Sequence, residues 1–115
     1  MPDAEVIADL MAARERDEPL PRDLLRDGVR ALLRELTRKA PGKTVEVRVP
    51  PFGAVQCVDG LRHTRGTPPN VVECDAETFV ALACGDLDFT AAVADGRVSA
   101  SGTRADLTDF LPLTS

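Results

Sequence analysis

Residues 73–102 read ECDAETFVALACGDLDFTAAVADGRVSASG, and this run decides the fold class. Asp75 stands where an N-cap belongs, with Glu77 in the first turn of an apolar helix over 76–84 that Gly85 ends. A shorter helix follows in "DLDFTAAVADG" and stops at Gly96. "RVSASG" then changes period to that of a brief strand. Upstream, "NVVEC" from Asn70 reads as a strand that begins after the Pro68-Pro69 break. The run is therefore strand, helix, helix, strand.

Working outward, "TVEVRVP" (44–50) alternates Val45, Val47 and Val49 with Glu46 and Arg48, the pattern of a half-buried strand. "GAVQCVDG" (53–60) gives a second strand between glycines, and "LRHTR" (61–65) alternates as a third. Short strands separated by turns predict an antiparallel meander. Before them, Leu25, Val29, Leu32, Leu33 and Leu36 recur at helical spacing over 22–40, with Arg26, Arg30, Arg34 and Arg38 on the other side. "PG" at 41–42 stops that helix, and "EPLP" at 18–21 separates it from an earlier one over 4–16. In the early helix Val6, Ile7, Leu10 and Met11 share a side and Asp3 is the expected cap. At the other end "TRADLTDFLPL" (103–113) predicts a last amphipathic helix that gathers Leu107, Phe110 and Leu111. The expected class is α+β, a five-stranded, mostly antiparallel sheet covered by helices. Residues 1–20 form a helical extension and 21–115 one domain.

Composition narrows the function classes. With 43% apolar and 29% charged residues, the 115-residue chain has the balance of a soluble globular domain. It holds four Phe but no Tyr or Trp, so a platform for stacking bases is missing. The net charge is −5, and residues 70–115 carry eight acidic groups against two basic ones. That acidic half argues against nucleic acid and against anionic membrane as partners. No stretch is long and apolar enough for a bilayer span, and the N-terminus lacks a signal-peptide pattern. Cys57, Cys74 and Cys84 are odd in number and form no CxxC, which predicts reduced thiols and a cytoplasmic setting.

Reactive groups are scarce. Nucleophile-elbow, zinc-protease, P-loop and dinucleotide-binding patterns are all missing, and one His with three scattered Cys offers no metal-ligand spacing. No cofactor is implied. Cys57 and His63 fall on neighbouring expected strands, but no third group orients the base, so the pair is weak as a nucleophile. In "GLRHTRGTPPN" (60–70), His63 sits between Arg62 and Arg65. A lone His on a strand is most often structural, and the two prolines explain the turn. The sharper reading makes Arg62 or Arg65 an anchor for a carboxylate or phosphate head group, because a guanidinium binds such groups bidentately, with His63 tuning the site with pH.

The run over 73–102, with its order of cap, helix, Gly, helix, Gly, strand and Gly, resembles the sterol carrier protein family and especially its bacterial stand-alone members. The resemblance extends from about Leu25 to Leu113. It implies a carrier that transfers lipid or another apolar small molecule without catalysis, in a tunnel between sheet and helices. On that reading Phe79, Leu82, Phe89 and Val93 line the tunnel, and Phe110 and Leu111 close it. The alternative for each is ordinary core packing, the usual fate of apolar residues at helical spacing. The lack of broad aromatic faces favours a flexible acyl or isoprenoid chain over a rigid sterol. Two other readings stand beside the carrier. One is an accessory domain that lends Arg62 or Arg65 to a larger, metal-binding enzyme partner of the thiol-dependent isomerase type. The other is an interaction module, in which the helix over 4–16 packs on a second copy to form a homodimer.

Overall fold

The structure is a computed structural model and describes residues 1–60 and 70–114. Helix α1 (Asp3–Glu15) is followed by α2 (Arg22–Lys39), then strands β1 (Val45–Val49), β2 (Gly53–Cys57) and β3 (Asn70–Cys74). Helices α3 (Ala76–Cys84) and α4 (Phe89–Ala94) lead to β4 (Val98–Ser101), and a 3-10 turn spans Thr108–Phe110. The α+β class holds.

The sheet departs from the expected meander. Among the described residues it has four strands, not five, in the order β2-β1-β3-β4, and the expected strand over 61–65 lies outside them. It is also mixed: β1 pairs antiparallel with β2 but parallel with β3. Register explains this. Cys57, at the end of β2, lies opposite Val45, and Asn70, at the start of β3, lies opposite Val45 on the other side. β2 therefore ends, and β3 begins, beside the end of β1 where β1 itself began, so β3 runs the same way as β1. β3 then pairs antiparallel with β4 through Cys74↔Val98.

Alternation gives the sheet one apolar face. Val45, Val47, Val49, Cys57, Val72, Cys74 and Val98 are buried, whereas Arg48 and Glu73 point outward to solvent. On the outward face Arg48 donates to Glu46 at 2.9 Å. The buried face packs against Leu32, Leu33 and Leu36 of α2 and Phe79, Val80, Leu82 and Ala83 of α3 in one core. Removing side chains of this kind from water is the main favourable contribution to such a fold.

Local signals set most helix ends. Asp75 caps α3 by accepting from the Thr78 amide at 2.8 Å, and Asp88 caps α4 by accepting from the Ala91 amide at 3.0 Å. Gly85 ends α3 in the left-handed region (φ 84), where a Cβ would be strained. In α1, however, Pro2 holds the cap position and Asp3 is already helical. Its carboxylate instead takes two bonds from Arg34 of α2, both 2.8 Å. α1 lies along α2 with Val6, Leu10 and Ala13 buried. Gly28 permits the approach, since a Cβ there would sit 2.7 Å from Leu10 Cδ2. Val6 and Leu10 of the apolar stripe of α1 are thus covered within its own chain, whereas Ile7 and Met11 stay partly exposed.

Two expected elements end early. β2 stops at Cys57, not Gly60, because Val58 turns into a positive-φ conformation (66°). Its amide donates to the Ala40 carbonyl at 2.7 Å and its carbonyl accepts from the Thr44 amide at 3.1 Å. Gly42 is required beside this knot, since a Cβ there would lie 2.1 Å from the Val58 carbonyl oxygen. The amphipathic helix expected over 103–113 shrinks to the 3-10 turn. Asp106 accepts from the Thr108 amide and hydroxyl, a side-chain turn that competes with helix. Beyond it, Leu113 and Thr114 donate to the Ala83 carbonyl at 2.8 and 3.1 Å. The segment therefore lies as a strap across the end of α3.

Candidate functional site

The layer between sheet and helices is closely packed. Val45, Val47, Val49 and Leu36 are each 0% exposed, and the core continues through Phe79 and Leu82. Space large enough for a ligand opens at the rim of this layer, in clefts where loops meet helix ends.

One cleft, of about 220 Å³, opens where the C-terminal strap crosses α3 and the start of α4. Leu82, Leu87, Phe89 and Leu111 supply its apolar wall, and Thr108, Asp86 and Asp88 its rim. Three of the residues singled out from the sequence therefore meet here: Leu82, Phe89 and Leu111. Phe79 is placed elsewhere, fully buried at the centre of the core. Phe110 is half-buried against that core. Val93 is 36% exposed, because Phe89 and Ala92 take the inward positions of α4. Leu87 and Pro112 were not anticipated. Leu87 lies between two helices, and Pro112 lies within the stretch expected as the last helix but outside its apolar set. The strap is tied down by the Leu113 and Thr114 amides and the Thr114 hydroxyl donating to the Ala83 carbonyl, by the Arg104 amide donating to the Asn70 side-chain carbonyl, and by Lys39 Nζ donating to the Pro112 carbonyl at 2.8 Å.

A second cleft, of about 520 Å³, lies between the end of α1, the 16–20 segment and the outer face of α3. Met11, Leu20, Val80 and Cys84 form its apolar part. A third, open hollow of about 500 Å³ is bounded by Arg22, Arg26, Pro51 and Phe52, and the Arg22 guanidinium stands 5.1 Å above the Phe52 ring.

The thiols are poor nucleophiles where they are buried. Burial pushes the Cys57 thiol up to about 11. Burial, aided by the Asp75 and Glu73 carboxylates, pushes Cys74 up to about 12. A thiol held protonated by burial is a weak nucleophile, and His63, the partner weighed for Cys57, lies outside the described residues. Arg62, His63 and Arg65 lie outside the described residues, and with them the head-group anchor. Among the described residues no group of three or more His, Cys, Asp or Glu is placed to hold a metal ion. No helix among them is long and apolar enough to cross a membrane.

A comparison with curated proteins finds no match. A family model described as bacterial SCP ortholog matches residues 21–113, from the start of α2 through the strap. With four-fifths of its length matched, the chain belongs to this bacterial sterol-carrier-protein-like family.

Proposed function

We propose that this protein binds an apolar ligand with a flexible chain, acyl or isoprenoid, as a carrier without catalytic chemistry of its own. The observation that carries the reading is the C-terminal cleft, where Leu82, Phe89 and Leu111 converge beneath a strap with almost no regular structure. Family membership supports a lipid-binding role. At about 220 Å³ the cleft is smaller than the roughly 300–1,000 Å³ usual for ligand sites. A long chain would therefore need Phe110, Leu111 and Leu113 to swing aside, vacating the half-buried positions they hold against the core. The strap can yield at modest cost, since each backbone bond it gives up contributes only about 0.5–1.5 kcal/mol net.

The test is titration with an environment-sensitive fluorescent fatty acid, followed by displacement with unlabelled acyl and isoprenoid chains. The absence of Trp and Tyr leaves a low emission background. Saturable, displaceable binding that weakens in Leu111→Asp, a half-buried position expected to tolerate the change, supports the carrier reading. Phe89→Asp probes the deeper wall. A folded chain that takes up none of these ligands would refute it.

A further inference from the structure

The cleft beside α1 differs from the C-terminal one in both origin and size. α1 precedes the family-matched residues 21–113, so one wall of this cleft is built by a segment outside the family core. That wall is held firmly: Leu10 seats on Gly28, Asp3 binds Arg34, and Arg14 reaches Asp86 at 2.7 Å. The volume of about 520 Å³ lies within the usual range for a small-molecule site. Its apolar part is contributed by Met11 of α1, Leu20 of the connection, and Val80 and Cys84 of α3. Around it stand five carboxylates, from Glu15, Asp17, Glu18, Glu77 and Asp86, against a single lining guanidinium, Arg14. Arg14 is itself engaged by Asp86. Nearby, Arg16 comes within only 3.7 Å of Glu18.

An apolar groove inside a negative rim is complementary to one ligand chemistry in particular. We infer that this cleft is a second binding site that takes a cationic amphiphile, its alkyl chain on the apolar floor and its ammonium group among the carboxylates. A fatty acid would place its own carboxylate in the same field and be repelled. A cationic amphiphile is a ligand class that the carrier reading does not include.

Cys84 provides the reporter, because it borders this cleft and is partly exposed while Cys57 and Cys74 are buried. The rate of Cys84 modification by a thiol reagent is measured in the full chain with dodecyltrimethylammonium or dodecanoate, each below its micelle concentration. The cationic probe is expected to slow modification saturably, and dodecanoate to leave it unchanged. Glu18→Lys with Glu77→Lys, both exposed positions, should weaken the cationic probe about tenfold through lost and reversed charge. Leu111→Asp should leave that binding intact, which separates this site from the C-terminal cleft. Equal protection by both probes, no protection by either, or affinity unmoved in the double lysine variant would each overturn the inference.

Discussion

The seat of α1 on α2 allows a quantitative test with two substitutions, Leu10→Ala and Gly28→Ala. Leu10 is 0% exposed, and deleting its branched end costs about 2–5 kcal/mol where the site cannot collapse. The loss is capped by the free energy that docks α1, because the helix can let go instead. Gly28→Ala is a balance of two terms. Inside a helix it gains about 1 kcal/mol of propensity. Against this, the new Cβ would stand 2.7 Å from Leu10 Cδ2 and 3.3 Å from Leu10 Cγ, an overpacking that costs about 1–3 kcal/mol. In the native background the change is therefore neutral to destabilising by about 2 kcal/mol. In the Leu10→Ala background those clashing atoms are gone, and the propensity gain of about 1 kcal/mol stands alone. Gly28→Ala should thus rescue Leu10→Ala while failing to help the parent, with a coupling of about 1–3 kcal/mol. Urea denaturation followed by far-UV circular dichroism measures all four corners, and the chain's lack of Trp and Tyr does not hinder it. If Gly28→Ala stabilises both backgrounds equally, Leu10 does not rest on Gly28 and the docking of α1 described above is wrong.

Other expectations follow from single contacts. Asn70 is buried and bridges two strand ends, its amide donating to the Thr44 carbonyl at 2.9 Å and its carbonyl accepting from the Arg104 amide at 3.0 Å. Asn70→Ala leaves both groups without that partner and should cost about 1–3 kcal/mol in urea denaturation, and an unchanged midpoint would mean that water replaces the bridge. The Arg34 hydrogen bond holds the Asp3 carboxyl below its ordinary 3.8. A depressed carboxylate adds stability that is complete above its unfolded value and disappears as pH falls through the lower folded one. The protection of the α1 amides relative to their intrinsic exchange should therefore fall on acidification below about pH 4, and Asp3→Asn should remove that dependence. The buried thiols act at the other end of the scale. Their raised values, about 11 and 12 for Cys57 and Cys74, add stability that is full below the ordinary 9.0 and eroded as pH rises towards those values. Cys57→Ala with Cys74→Ala should flatten the alkaline limb of the stability profile, and an unchanged limb would show that other groups set it.

What the sequence alone determined was whatever is encoded over a few residues. The cap Asp75, the stop at Gly85 and the inward set Val45, Val47 and Val49 were all legible, because a cap bonds two or three residues away and a strand alternates with period two. The leucine stripe of α2 was legible for the same reason. So was the family, since the order of cap, helix, glycine and strand over 73–102 consists of such local signals. Tertiary structure decided the rest. Whether β3 runs parallel or antiparallel to β1 depends on which end of β1 the chain crosses, and nothing within either strand records that. β2 ends at Cys57 because Ala40 and Thr44, distant in sequence, capture Val58. The residues over 103–113 have the periodicity of a helix, yet Asp106 turns the backbone and the Ala83 carbonyl offers Leu113 and Thr114 a partner on α3. The clefts are least legible of all. A site at the rim is made by linker residues such as Leu20 and Leu87, which have no period of their own and acquire neighbours only when helices from distant parts of the chain come to rest around them.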